Sequence, residues 1–538
     1  MHFIAPIFLL VVVNQGLGYR YLWQDEIETA ERARSILFFG YPKTIDSEGR
    51  LSLNSSGFEL ENSEVHRITP WGQFYWAAGG EALGKFLSWD RDRAVRFPFT
   101  VAHCLTSAIL SIGLTHFYGL PVMMSQVVTT IFGLQSIRLI HNRTARYHAL
   151  LDFILALSLL GLGCLKRNFK LGIGFILVGV FFAPHVQTLS GSLIAALTGF
   201  VALYTIWNAD NHPIRYKVSA SGLIVFTGLI SLGLLVWLIE LWIPRGIGEF
   251  SLSLPFRSLK SFQEISYSAI FFLLLSVWLA VKYGKKSATP FWISAGFIAL
   301  SVRTLDFYSF SQTRYYLSLV IFFIFSPFIL NWLENRISNT RAFVLLIFVT
   351  LLPEIYFWER LSMPFQGVAH ILNDTNSQQK NEHQPFEVAI NQLKADAGDQ
   401  NTTILIDYVP QYVNWYFKKA QPALIPDPSS KNVFNSKHPI WQSPPILPQW
   451  HIWYPSRGSG FWDKINNSKF NAINSNHLKA GDRYQLKIKG VDKPLLFCVL
   501  NTWNTDHWNN APFRLYERDS FRPNGKDGEL VLAKSCQL

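Results

Sequence analysis

The sequence predicts a polytopic α-helical membrane protein, with about eleven transmembrane helices and a C-terminal α/β domain outside the cytoplasm. Three observations predict it. Hydrophobic residues make up 49% of the 538 and charged residues only 16%, against roughly 25% charged in an ordinary soluble domain. The charges are also unevenly placed, since residues 99–358 hold long apolar runs with short polar breaks while 19–98 and 360–538 read as water-facing. Finally, most of the runs approach the length, about 20 residues, that carries a helix across a bilayer.

The candidate spans are 1–18, 99–117, 120–137, 147–165, 171–186, 189–207, 218–243, 265–283, 288–302, 315–333 and 342–358. MHFIAPIFLLVVV lacks the basic start of a signal peptide, so the first span reads as a retained helix rather than a cleaved leader. The runs at 171–186 and 288–302 are short and suit tilted, broken or re-entrant helices. With the N-terminus inside, the cytoplasmic breaks carry Lys166, Arg167 and Lys170, Arg215 and Lys217, Lys282, Lys285 and Lys286, and Arg336 and Arg341. Short loops dense in base are what the positive-inside rule expects. The expected organisation is a transmembrane domain over 1–358, with an outer loop 19–98 holding interfacial helices, and an extracytoplasmic α/β domain over 359–538. In the latter, FEVAINQLKADA reads as a helix, TTILIDYV and PLLFCVL as strands, and 421–464 as long loops.

A net charge of +12 would suggest nucleic acid as a partner of a soluble protein. Here loop charges at the bilayer edge and anionic lipids account for it, and no Lys/Arg run resembles a nucleic-acid arm. The four cysteines show no CxxC or Cys/His metal spacing. Cys104 and Cys164 fall in apolar runs as small core residues, while Cys498 and Cys536 are free to pair if their segment is exported.

Three constellations carry chemistry. The first is YLWQDEIETAERARSILFFGYP, in which Asp25 and Glu26 stand side by side at the mouth of the first span. A carboxylate near apolar groups at a membrane interface suits a general base; an acidic helix start facing water is the plainer reading. The second is His66 and Arg67 followed by an aromatic stretch, with Trp71 and Tyr75, that predicts a helix lying in the interface. Such rings anchor a helix, and sugars also stack on them. The third is a set of arginines on the outer face, Arg138, Arg143, Arg146, Arg245, Arg257, Arg303 and Arg314. They run against the positive-inside rule unless something anionic compensates, and the guanidinium fork matches phosphate; snorkelling to bulk lipid is the alternative. Asp152 and Glu240, just inside apolar runs, are functional candidates or arginine partners.

In their order these residues resemble the GT-C class of membrane glycosyltransferases, in particular the dolichyl-phosphate-mannose protein mannosyltransferase superfamily and the lipid A aminoarabinose transferases. The matching pieces are Asp25-Glu26 after a first span, Ala30, Gly40-Tyr41-Pro42, Pro70 to Trp76, and Arg96-Phe97-Pro98. Arg143, Ala145, Arg146 and Tyr147, and then Arg314-Tyr315 before a late span, complete the series over residues 1–335. The resemblance implies inverting transfer of a sugar from a polyprenyl-phosphate carrier to a lipid, glycan or protein acceptor at the extracytoplasmic face of a bacterial inner membrane. It implies that Asp25 is the base and that Glu26 shapes its site. It further implies that Arg143, Arg146 and Arg314 neutralise the leaving phosphate, with Tyr147 and Tyr315 beside them, and that His66, Arg67, Trp71 and Tyr75 line the substrate cleft. No cofactor is implied. Two adjacent carboxylates have the chemistry to hold a divalent metal, but nothing completes a ligand set, and there is no P-loop or GxGxxG fingerprint. The loop 43–66 is longer and more polar than the family pattern. The competing function is a transporter or flippase of a lipid-linked or anionic solute; the absence of an internal repeat and the clustering of polar residues at the outer edge speak against it.

Overall fold

The computed structural model describes residues 3–18, 21–22, 24–45, 50, 65–67, 69–209, 212–238, 321–322, 324–330, 337–356, 368, 371, 385–398, 400–406, 411–423, 446–453, 470–473, 478–488, 491–504 and 529–536. The chain divides into two compact units. One comprises Met1–Leu17, Arg67–Trp76 and Arg96–Thr375, the other Gly18–His66, Ala77–Val95 and Asn376–Leu538.

The first unit is helical. Its elements are α1 (Ile4–Asn14), the start of α3 (Gly72–Phe86), most of α4 (Arg91–Gly113) with a π-helical turn at Leu114–Tyr118, α5 (Val122–Gly133), α6 (Ser136–Asn142), α7 (Tyr147–Cys164), α8 (Phe169–Val186), α9 (Thr188–Trp207), α10 (Ile214–Leu238) and α11 (Asn339–Tyr356). Among the described residues, five helices are long and apolar enough to cross a membrane: Arg91–Tyr118, Tyr147–Cys164, Phe169–Val186, Ser190–Trp207 and Ile214–Leu238. The expected spans 1–18 and 120–137 contain the shorter apolar helices α1 and α5. The reasons are local. Gly16 turns the chain with φ +62° just after α1, and Pro121 precedes α5 while a break at Leu134–Gln135 ends it. The expected spans 265–283 and 288–302 lie outside the described residues.

The core of this unit forms around α7, 83% of which is buried against its neighbours, whereas α10 is only 17% buried. Phe226, Leu229 and Trp237 of α10 stand 60–65% exposed, as an apolar helix does when its outer face is meant for lipid rather than water. At the α7–α8 contact, a Cβ on Gly172 would come within 2.8 Å of the Gly161 carbonyl oxygen. Small residues let two backbones approach closely where lipid gives no hydrophobic drive to pack.

The second unit combines the outer loop with the C-terminal segment. It holds α2 (Gln24–Phe39), the rest of α3, the first turn of α4, α12 (Pro385–Ala397), α13 (Gln411–Tyr416) and seven strands. These are β1 (Thr403–Ile406), β2 (Gln421–Pro422), β3 (Trp450–Trp453), β4 (Phe470–Ile473), β5 (Arg483–Ile488), β6 (Leu495–Asn504) and β7 (Glu529–Ser535), in the order β2-β1-β3-β7-β6-β5-β4. The sheet is mixed: β1 runs parallel to β2 and β3, and the remaining pairs are antiparallel. The helix read from FEVAINQLKADA and the strands read from TTILIDYV and PLLFCVL are α12, β1 and β6. The loops expected over 421–464 are interrupted by β2 and by β3, whose four residues are all buried; Pro448 and Pro455 flank β3 closely and hide it from a propensity reading. Cys498 on β6 and Cys536 just past β7 form a disulfide. The sheet buries Leu405, Tyr484, Leu486, Phe497, Val499 and Val531 in one cluster, and α12 buries Ala389, Ile390, Leu393 and Ala397 at helical spacing.

Candidate functional site

Asp25 and Glu26 lie in the first turn of α2, and Glu26 is fully buried. Farther along the helix, Glu28 approaches Nε2 of His66 at 3.9 Å, and Glu31 pairs with Arg34 at 3.2 Å. Arg32, fully buried, donates from Nη1 to the Lys43 carbonyl at 2.7 Å, and the Lys43 amide donates to Oγ of Ser35 at 2.8 Å. Lys43 bridges Val65, and the His66 amide donates to the Pro42 carbonyl at 2.9 Å. Residues 42–43 and 65–66 thus lie against α2 and bring His66, with no exposed surface, onto the helix that begins with the acidic pair. Burial pushes the His66 imidazole well below its ordinary pKa, and the Arg32 guanidinium adds to that. At neutral pH the imidazole in this contact is therefore neutral.

In the first unit, the residues from Arg138 to His148 make two distinct arrangements. Arg138 is fully buried and donates to Oδ2 of Asp152 at 2.6 Å. The same oxygen accepts from Nδ2 of Asn142 at 3.0 Å; that nitrogen also lies 2.8 Å from Nδ1 of His103, whose Nε2 meets the Gly133 carbonyl at 3.0 Å. Arg138 further donates from Nε to Oε1 of Gln135 at 3.2 Å and lies over the Phe132 ring at 3.7 Å. This is a buried ion pair within a hydrogen-bonded network, the partner that an acid near a membrane segment requires.

Arg143 is used differently. It donates from Nε to the Val13 carbonyl at 3.0 Å and from Nη2 to the Gln15 carbonyl, which are acceptors at the C-terminal end of α1. A helix end leaves carbonyls without intrahelical partners, and a cation there is favourable. A guanidinium has five N–H donors, and two of them are engaged here by backbone. Arg146 precedes α7 with its guanidinium 5.4 Å from the Tyr147 ring, and that ring packs 4.2 Å from His148.

The remaining expected residues distribute as follows. Arg67 lies 6.0 Å over the Trp237 ring, while Trp71 and Tyr75 sit at the start of α3 with Tyr75 46% exposed. The start of α3 rests on the end of α8, where a Cβ on Gly72 would meet the His185 carbonyl oxygen at 2.7 Å. Asp25, Glu26 and His66 belong to the second unit, and Arg67, Trp71, Tyr75, Arg143, Arg146 and Tyr147 to the first. Arg314 and Tyr315 lie outside the described residues, as do Glu240, Arg245, Arg257 and Arg303. Sequence reading missed His103 and Asn142, which carry no motif, and Asp92, Tyr412 and Tyr416, which matter only through contacts far apart in the chain. Among the described residues no group of three or more His, Cys, Asp or Glu side chains is placed to hold a metal ion.

No family model and no curated protein matches the chain. Among solved structures it is similar to ArnT from Cupriavidus metallidurans bound to undecaprenyl phosphate, at 13% identity and a TM-score of 0.45 over 84% of this chain and 92% of that one. It is similar to the Archaeoglobus fulgidus oligosaccharyltransferase in complex with Zn and sulfate, at 10% identity and a TM-score of 0.44 over 86% of this chain and 69% of that one. The arabinosyltransferase EmbB from Mycobacterium smegmatis matches at 12% identity and a TM-score of 0.38, over 73% of this chain and 42% of that one.

Proposed function

We propose that this chain is a GT-C-type membrane glycosyltransferase that moves a sugar from a polyprenyl-phosphate carrier to an acceptor at the extracytoplasmic face. The observation that carries the reading is the order of the motifs, from Asp25-Glu26 after the first apolar run, through Arg143, Ala145, Arg146 and Tyr147, to Arg314-Tyr315. Five helices long and apolar enough to cross a membrane, among the described residues, support the same assignment. The disulfide between Cys498 and Cys536 suits a C-terminal domain held in an oxidising compartment.

In the proposed reaction, Asp25 takes the proton from an acceptor hydroxyl as its oxygen attacks the anomeric carbon. The bond from that carbon to the phosphate oxygen breaks with inversion. The departing polyprenyl phosphate carries the developing charge, which Arg143, Arg146 and Arg314 neutralise, with Tyr147 and Tyr315 beside them. Stabilisation of charge that appears only in the transition state is where such groups act most strongly. Glu26 shapes the base's surroundings, while His66, Arg67, Trp71 and Tyr75 line the substrate cleft. The full set of about eleven spans, with the N-terminus inside, belongs to the same proposal.

The test is transfer of radiolabelled sugar from polyprenyl phosphate to candidate acceptors by purified protein, with Asp25→Asn alongside. Loss of the general base is expected to slow transfer by about 10²–10⁴-fold. Transfer at the wild-type rate by Asp25→Asn would remove the base assignment. Flux of a solute through sealed vesicles with no glycosylated product would replace the enzyme by a transporter.

A further inference from the structure

We propose that α13 and α12 of the C-terminal segment form a clamp that sets the position of the α2 N-terminus, and with it the acidic pair, so that Tyr412, Tyr416 and Glu387 are positioning residues for the reaction. The inference rests on the reading of Asp25 as the base. Its material is the short stretch just before α2. The Tyr21 amide donates to Oε1 of Glu387 at 2.7 Å, the Leu22 amide donates to the Tyr416 hydroxyl at 2.7 Å, and the Tyr412 hydroxyl donates to the Leu22 carbonyl at 2.7 Å. Three backbone groups on two consecutive residues are therefore each met by a side chain 366 to 394 positions away. Backbone groups ahead of a helix are ordinarily satisfied by local caps or water. Here the C-terminal segment satisfies them, so the place where α2 begins is fixed from outside α2.

The clamp is itself anchored. The Tyr416 hydroxyl, while accepting from Leu22, donates to Oδ2 of Asp92 at 2.8 Å, and Oδ1 of Asp92 accepts from Nε1 of Trp415 at 2.7 Å. The Trp415 ring has the Arg34 guanidinium 4.2 Å from its centroid and the Arg91 guanidinium at 4.1 Å. Arg34 belongs to α2 and donates to the Asn414 carbonyl at 3.3 Å. Thus α13 touches α2 both before its first turn and midway along it, which fixes direction as well as position. Arg50, from the outer loop, donates from Nη1 to the carbonyls of Phe417 and Lys418 at 2.8 Å and from Nη2 to that of Asn414 at 3.2 Å, closing the end of α13. Tyr21 stacks on Tyr416 with ring centroids 4.2 Å apart, donates its hydroxyl to Asn391 and accepts from Lys394 at 2.9 Å. A catalytic group displaced by about 1 Å loses on the order of 10²-fold in rate. A segment held at this many points is suited to preventing that.

The experiment uses the full-length protein in nanodiscs and compares wild type with Tyr416→Phe, which deletes the hydroxyl and keeps the ring stack. Two measurements are made: amide hydrogen exchange over residues 21–28, and kcat and KM for the polyprenyl-phosphate sugar. The clamp predicts at least about tenfold faster exchange at Leu22. It also predicts a kcat lower by about 10- to 100-fold, with donor KM within about twofold of wild type. In an Asp25→Asn background, Tyr416→Phe is expected to add almost no further loss, because the two changes disable one function. Unchanged exchange at Leu22, an unchanged kcat in an active enzyme, or an effect confined to KM would each overturn the proposal. If wild type transfers no sugar while exchange at Leu22 still rises in Tyr416→Phe, the glycosyltransferase reading fails and the clamp survives as the device that seats α2. Should Tyr416→Phe not fold, Tyr412→Phe, which breaks the bond to the Leu22 carbonyl, is read by the same criteria.

Discussion

The pair formed by Arg138 and Asp152 offers a test with a worked magnitude. Both residues are 0% exposed, and the N–O distance is 2.6 Å. Unit charges about 4 Å apart attract by roughly 4 kcal/mol at an effective dielectric near 20, and the cost of removing both from water consumes most of that. The pair as a whole therefore contributes little, yet removing one member strands the other. Asp152→Leu or Arg138→Met alone is expected to cost about 3–5 kcal/mol, and independent effects would sum to about 6–10 kcal/mol in the double variant. The double variant instead leaves no stranded charge. It takes the Nε donor from Oε1 of Gln135 and the Asp152 acceptor from Nδ2 of Asn142, although Asn142 keeps its contact with His103. Neutral groups left in that way cost about 1–3 kcal/mol in all, so the double variant is expected within about 3 kcal/mol of wild type. Equilibrium unfolding in mixed micelles, followed by tryptophan fluorescence, measures all four corners of the cycle. A double-variant loss equal to the sum of the single losses, within about 0.5 kcal/mol, would refute the reasoning.

Two further outcomes follow from the second unit. His66 is held neutral by burial, with a pKa well below 6.5, so between its folded pKa and 6.5 the unfolded chain binds a proton that the folded one does not. Stability from this residue is present above pH 6.5 and falls as pH drops, by about 1.4 kcal/mol per unit; acid melting curves of wild type and His66→Gln with equal slopes would count against it. The disulfide between Cys498 and Cys536 closes a separation of 38 residues, for which loop-closure entropy gives about 4 kcal/mol. Cys498→Ser is expected to lower the resistance of the C-terminal segment to proteolysis, to the same degree as reductant does in wild type; an effect of reductant that persists in the variant would mean that another group is responsible.

The helices of the first unit were legible because hydropathy and length are local. Runs at 147–165 and 189–207 became α7 and α9 with nearly the same limits. The C-terminal sheet was legible in part. β1 and β6 are continuous apolar runs, while β5, whose RYQLKI alternates exposed and buried residues, carried a period-two signal that the surrounding polar residues masked. β3 and α13 were not legible at all. Four residues between prolines and a six-residue helix give too little pattern, and their burial comes from partners remote in the chain.

The candidate site shows the same division, and it changes what the arginines mean. Read along the chain, Arg138, Arg143 and Arg146 were one cluster on one face, equally suited to a phosphate. The structure separates them by partner. Arg138 neutralises Asp152 inside the helical unit, so its charge is balanced there and does not require a ligand. Arg143 spends two donors on the carbonyls at the end of α1, a structural commitment. A guanidinium pinned through two bonds to backbone keeps little conformational freedom. Part of the base that the sequence reading set on the outer face is therefore internal charge balance. Under the proposed function the phosphate falls to Arg143, Arg146 and Arg314, while within the second unit Tyr412 and Tyr416 hold the backbone of Leu22 just ahead of α2.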